Sequence, residues 1–212
     1  MARTLLHLSV SPRANASQSR PVGAELVTRL CAACPDLKIV RRDLGSEIPP
    51  HPDAAFMNAN LRREAERDGA DQQALRYSEL LIAELVAADL LVIDTPMHNF
   101  TVPSALKAWI DYVVRPGRSF QSSPTGKLPL LKDRPARIAV ACGGSFSGPH
   151  AQRDFLTPYL RYVFNVIGIE DVDCLLLEQV LRGDETKAIA KQRADDWISA
   201  QVLQLSGLAT AV

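Results

Sequence analysis

The residues of this chain best placed to do chemistry stand together as Pro96-Met97-His98-Asn99-Phe100, directly after the apolar run Leu90 to Ile93. A buried strand that ends in such a stretch and leads into a helix near Ser104 makes a rigid loop, with backbone amides free to face a flat ligand. Met97 and Phe100 offer polarisable apolar surface to an aromatic ring, and Asn99 presents a donor and an acceptor to the ring's edge. A plainer reading stays open. Asn99 bonds its own turn, Phe100 belongs to the core, and His98 is an ordinary loop histidine without metal-ligand spacing.

Two further loops carry usable groups. The first, Ser11-Pro12-Arg13-Ala14-Asn15-Ala16-Ser17-Gln18-Ser19, runs into Arg20-Pro21 and a helix. Hydroxyls and orphan N–H groups converging on a helix N-terminus favour an anion. Neither the dinucleotide nor the nucleoside-triphosphate glycine pattern is present, so a terminal monophosphate fits best. Alternatively Ser17 or Ser19 is simply an N-cap, with Pro21 near N1. The other loop is Cys142-Gly143-Gly144-Ser145-Phe146-Ser147-Gly148-Pro149-His150. Its glycines let backbone approach a ligand closely, and its amides could meet an edge where negative charge gathers. Loop flexibility explains the same residues. A serine hydrolase using Ser145 or Ser147 with His150 and Asp154 has the motif against it, because Gly144 and Gly148 bracket Phe146 where a nucleophile elbow needs serine.

Hydrophobic periodicity supplies the elements that must hold these loops. Strands are expected at Thr4 to Ser9, Leu37 to Arg41, Leu90 to Thr95, Ala136 to Cys142 and Val172 to Leu177. Helices are expected at Val22 to Ala33, Ala54 to Arg67, Asp71 to Ala87, Ser104 to Val113, Asp154 to Val166 and Glu185 to Leu205. Val22, Leu26, Leu30 and Ala33 share one face of the first helix. Leu75, Ser78, Ile82, Leu85 and Val86 line the inner face of the third. Ser119 to Leu131, with Gly126 and two prolines, reads as a hairpin or loop excursion. Alternating strands and helices imply an α/β fold: a doubly wound five-stranded parallel sheet, order 2-1-3-4-5, with helices on both faces. Its switch point lies between the first and third strands, which brings all three loops to one edge.

Composition narrows the partners. The 212 residues fit a single domain, 1-212, able to bury a full core without disulfides or metals. Twenty-four basic and 24 acidic side chains cancel, so no field draws in nucleic acid or an anionic membrane. No apolar stretch approaches a membrane span, and Arg3 and His7 interrupt any signal-peptide core, so a soluble cytoplasmic protein is expected. Cys31-Ala-Ala-Cys34 has the CxxC spacing but falls at a helix C-terminus, where the dipole disfavours a thiolate, so neither a redox nor a metal role is expected.

Taken in register, these motifs carry a resemblance. Ser11, the Ser17-Gln18-Ser19 triplet, Met97-His98-Asn99-Phe100 and the turn at Gly143 resemble the FMN-dependent NADH-azoreductase and NAD(P)H quinone reductase family, whose fold is flavodoxin-like. Gly117 and Phe120 before Gly126 resemble its hairpin region. Leu156-Thr157-Pro158-Tyr159-Leu160 with Ile167-Gly168-Ile169 resembles that family's fourth-helix signature. Nearly the whole chain is covered. The resemblance implies FMN with its phosphate against Ser11, Ser17, Gln18 and Ser19. Its ring would lie along Pro96, Met97, His98, Asn99 and Phe100, and Ala141, Cys142, Gly143 and Gly144 would complete the pyrimidine side. Phe120 and Asn99 would border the substrate.

The same resemblance implies a homodimer that passes hydride equivalents from NADH or NADPH to quinones or azo compounds by a ping-pong cycle. No catalytic side chain is required, because the flavin carries the chemistry. Two departures stand out. His98 replaces the usual tyrosine, and Ala141-Cys142 replace a Ser-Arg type of pair, which removes a cation. A flavodoxin-like electron carrier without substrate turnover is the rival reading, although such carriers are typically acidic.

Overall fold

The computed structural model describes residues 3–149 and 151–207. Its strands are β1 (Thr4–Ser9), β2 (Lys38–Asp43), β3 (Leu90–Pro96), β4 (Phe120–Ser123), β5 (Gly126–Pro129), β6 (Ala136–Ala141) and β7 (Val172–Leu177). Five of them form one sheet in the order β2-β1-β3-β6-β7, every neighbouring pair parallel. Counting only those five, the order is the expected 2-1-3-4-5. The short β4 and β5 pair antiparallel in a separate hairpin, so the excursion over Ser119 to Leu131 is a hairpin.

The helices are α1 (Arg20–Ala33), α2 (Ala54–Leu61), α3 (Gly69–Ala87), α4 (Ser104–Val113), α5 (Leu156–Ile167) and α6 (Asp184–Gly207). Strand side chains alternate between faces. Leu5, Leu90 and Val92 pack under α1 and α6, against Leu26, Leu30, Ile198 and Leu205. Leu6, Leu8, Leu91, Ile93 and Ile138 face the other way, against Leu81 and Ile82 of α3, Trp109 of α4 and Phe164 of α5. Helices therefore cover both faces. Among the described residues no helix is long and apolar enough to cross a membrane.

Three local expectations change. The helix expected over Ala54 to Arg67 stops at Leu61, and a 3-10 turn fills Glu64–Glu66. The reason is a capping box: Asp68 accepts the Asp71 amide and Asp71 accepts the Asp68 amide, which requires extended backbone at Asp68. On α3 the buried stripe includes Leu81, while Val86 is exposed, standing about 100° round the helix from buried Leu85. On α1, Gly23 and Val27 are buried and Ala33 is exposed. The C-terminus of α3 is closed from outside, by Arg134 donating to the carbonyls of Leu85, Val86 and Ala88.

Candidate functional site

The loops after β1, β3 and β6 meet in one cleft at the carboxyl edge of the sheet. Ser11, Arg13, Ser17, Gln18 and Ser19 form one wall, Pro96, Met97 and His98 a second, and Ala141 with Gly143 a third. A fourth wall, absent from the sequence reading, comes from Val180 and Leu181 in the turn after β7. The cleft encloses about 170 Å³, below the roughly 300–1,000 Å³ of sites that engulf their ligands. It is a shallow seat.

The first wall is built from buried hydroxyls. Ser11, Ser17 and Ser19 are all buried, the last completely. Ser17 Oγ accepts the Arg20 amide at 3.2 Å, from two residues ahead of the N-cap position, so it ties the loop to the helix start without being the N-cap itself. Ser19 stands at the N-cap position yet makes no side-chain cap bond; its hydroxyl lies 3.3 Å from that of Ser17. Arg20 turns away from the cleft. Its guanidinium grips Asp43 at 2.5 and 2.9 Å and the Ser11 carbonyl at 2.7 and 2.9 Å, stapling the loop to the end of β2. Hydrogen bonding to Arg20 holds the Asp43 carboxyl below its usual range, helped by the Gly45 and Ser46 amides, and raises Arg20 in turn.

Beneath this wall lies a polar row that crosses the sheet. Asp94, fully buried on β3, accepts from His7 Nε2 at 2.7 Å and Ser9 Oγ at 2.8 Å, both on the same oxygen. Arg41 donates to His7 Nδ1 at 3.1 Å, which leaves the imidazole proton on Nε2. The other Asp94 oxygen, Oδ1, is buried with no hydrogen-bond partner among the described residues. Gly23 of α1 packs directly onto this carboxylate.

The second wall ends in a tight turn. His98 and Thr101 exchange both backbone hydrogen bonds at 3.0 Å, and Asn99 and Phe100 between them have φ of 47° and 71°. That is the signature of a two-residue hairpin turn of type I′, which glycine usually serves. A phenylalanine there is strained, and Phe100 is 49% exposed rather than part of the core. Asn99 and Phe100 lie at the rim, beyond the enclosed part of the cleft.

The third wall is pinned. Phe146 N–H donates to Glu178 at 2.7 Å, and the hydroxyls of Ser145 and Ser147 lie at 3.1 and 3.2 Å from the same carboxylate. Gln179 N–H bonds the Gly144 carbonyl at 3.1 Å and Val180 N–H that of Cys142 at 3.2 Å. Burial tends to raise the Glu178 carboxyl, but its bonds from Phe146, Ser145, Arg193 and Ser147 outweigh that and hold it low. The Cys142 side chain points into the core, and burial pushes its thiol up to about 12. Only the backbone of Cys142 is left to act. Gly143 has open space before it, whereas Gly144 is packed on Gln152.

Other sequence candidates fall elsewhere. Phe120 is buried in the hairpin with Lys127 Nζ 4.1 Å from its ring centre, and it does not line the cleft, because β4 turns the ring inward. Ser145 and Ser147 serve Glu178, and Asp154 caps α5 through the Leu156 and Thr157 amides. His150 lies outside the described residues. Cys31 and Cys34 are free thiols. No cluster of three or more His, Cys, Asp or Glu among the described residues could hold a metal ion. A larger cavity, about 550 Å³, is a groove between α1 and α6. It shares Gln18 and Val180 with the cleft but gathers none of the three loops' other groups.

Of the signals that were missed, Arg13 was visible in the first loop. Val180 and Leu181 were not, since nothing local marks the turn after β7 as facing the other loops.

Comparison with known proteins agrees with this geometry. A family model described as flavodoxin-like fold matches residues 3–200. The FMN-dependent NADH:quinone oxidoreductase 2 of Cupriavidus pinatubonensis is 48% identical over 201 residues, 94% of this chain and 98% of the relative. The FMN-dependent NADH:quinone oxidoreductase 4 of Pseudomonas fluorescens is 42% identical over 200 residues, 94% of this chain and 95% of that one. Among solved structures, an FMN-dependent NADH-azoreductase of Bacillus anthracis in complex with FMN superposes with a TM-score of 0.83. It covers 96% of this chain and all of its own at 21% identity, which speaks to the fold alone. By sequence and by architecture, then, this chain belongs to the FMN-dependent NADH:quinone oxidoreductase family of the flavodoxin-like fold.

Proposed function

We propose that the protein is an FMN-dependent enzyme passing hydride equivalents from NADH to quinones or azo compounds. The observation that carries this reading is the meeting of three buried serine hydroxyls, the Pro96-Met97-His98 wall and the open backbone at Gly143 around one cleft at the sheet's switch point. The residues present fit the cofactor. Ser19, buried at the mouth of α1 without a cap bond, is available to a phosphate, and the helix dipole adds to that preference. Met97 gives a ring an apolar, polarisable neighbour, and Gly143 lets an amide reach its edge.

In this reading Ser11, Ser17, Gln18 and Ser19 hold the phosphate end. Pro96 to Phe100 seat the ring, and Ala141 to Gly144 face its pyrimidine side through backbone. Bound FMN supplies hydride acceptance and donation, and the chain supplies placement. Asn99, at the rim, orients flat acceptors by hydrogen bonding, while Phe100 shields the approach from water. NADH and the acceptor take the same open side in turn, which a ping-pong cycle permits because the first product leaves before the second substrate binds.

Homodimerisation is part of the proposal. A seat this shallow leaves the outer side of a tricyclic ligand bare, and a second protomer would wall it. A cytoplasmic location fits the balanced charge.

The test is an absorption spectrum of the purified protein before and after NADH without air. A yellow protein whose visible band bleaches, and which then reduces menadione with no carrier protein added, is expected. A colourless protein that ignores added FMN would end the proposal, and bleaching without menadione turnover would make it an electron carrier instead.

A further inference from the structure

The parallel pair β6–β7 ends at Ala141 and Leu177, yet the two chains stay together beyond it. Cys142 N–H bonds the Leu177 carbonyl at 2.8 Å, Val180 N–H the Cys142 carbonyl, and Gln179 N–H the Gly144 carbonyl. For the last of these Gln179 adopts φ of 54°, a left-handed conformation that costs a non-glycine residue stability. Strain of this kind persists where surrounding contacts demand it.

Those contacts centre on Glu178. Its side chain is only 12% exposed and receives the Phe146 amide, the Ser145 and Ser147 hydroxyls and, at 3.3 Å, Arg193 of α6. One carboxylate thus fixes the chain on both sides of the cleft's far end. On one side are Gly143 and its neighbours; on the other, Val180 and Leu181.

We propose that Glu178 is a positioning residue for the ring half of the cofactor, setting the Gly143 backbone and the Val180–Leu181 wall at the spacing a flavin needs. The proposal rests on the FMN reading above. It differs from a general structural role in being specific to one end of the ligand. The phosphate end, at Ser17 and Ser19, touches none of these bonds.

Apoprotein titrated with FMN and with riboflavin, followed by flavin fluorescence quenching, separates the ends. Glu178→Ala should raise both dissociation constants by the same factor, roughly tenfold or more, as expected for lost bonds to a charged acceptor. Glu178→Gln keeps an acceptor oxygen for Phe146 N–H and should stay within about threefold of the unmodified protein. Ser19→Ala should instead weaken FMN more than riboflavin. Should Glu178→Ala fail to fold, the Ser145→Ala/Ser147→Ala pair replaces it, with a rise of about threefold or more for both ligands.

An alanine variant that binds both flavins within about twofold of the unmodified protein overturns the proposal, that margin being smaller than any lost charged bond. So does a loss confined to FMN, or a glutamine variant as weak as the alanine one. If the unmodified protein binds neither flavin, the FMN reading itself fails, and the clamp falls with it.

Discussion

Gly23 of α1 and Asp94 of β3 are packed so closely that a methyl group on the glycine would lie 2.6 Å from the carboxylate oxygen Oδ2. Neither side can yield easily. Asp94 is held by His7 and Ser9, and Gly23 sits in the first turns of the helix that opens on Ser19. Gly23→Ala should therefore destabilise the fold by about 1–3 kcal/mol through overpacking and weaken FMN binding by displacing the helix mouth. Urea denaturation and flavin titration measure both effects. Adding Asp94→Ala should recover part of the loss, a non-additivity that two independent sites would not show.

Strain at the turn of the second loop gives an opposite expectation. Phe100→Gly relieves a side chain at φ of 71° and forfeits little burial, so the melting temperature should rise, by the equivalent of up to about 1 kcal/mol. The Michaelis constant for menadione should rise as well, because the rim loses its aromatic shield. A variant both less stable and kinetically unchanged would place Phe100 outside the acceptor's path.

His98 lines the cleft with its side chain exposed. His98→Tyr should alter quinone kinetics while FMN remains bound, since the cofactor contacts proposed at this loop run largely through backbone. Steady-state kinetics beside a flavin-to-protein ratio is the appropriate check, and unchanged kinetics would put the imidazole off the working side.

Acid should loosen the site in a defined direction. Asp43 is depressed in the folded state by Arg20 and two amides, and Glu178 by its four donors despite burial. A depressed carboxyl adds stability above its unfolded value, near 4, and loses it as pH falls through the lower folded value. The stability these two carboxyls contribute should hence be flat above about pH 5 and decline below about pH 4. Asp43→Asn should lower stability at neutral pH and flatten the acid limb. Urea melts across this range decide it.

Thiol chemistry should follow burial. Burial pushes Cys142 and Cys174 up to about 12, which leaves almost no thiolate at neutral pH. Brief alkylation of the native protein, read by peptide mass spectrometry, should label Cys31 and Cys34 before either of them.

The alternation of strands and helices was legible because each is a run of local periodicity: Ser104–Val113 and Val172–Leu177 match their expected bounds residue for residue. The three loops were legible because their position follows from strand order. What escaped was non-local. Glu178 looks like any acidic residue at a strand end until Phe146, Ser145 and Ser147 are seen to converge on it, more than 30 positions away in sequence. Val180 and Leu181 lie beyond the expected strand end at Leu177, where nothing in the sequence marks them as facing the other loops. Phe120 does not line the cleft for a related reason, since the sequence announces an aromatic residue but not the direction in which a short hairpin strand turns it.

The seat between the loops is shallow, and none of the described residues roofs it. Molecular oxygen is smaller than any quinone and needs no orienting contacts, so nothing in this basin turns it away. In aerated buffer with NADH and no organic acceptor, the enzyme should consume oxygen slowly and release peroxide, an idling leak that comes with being open to flat molecules of many shapes.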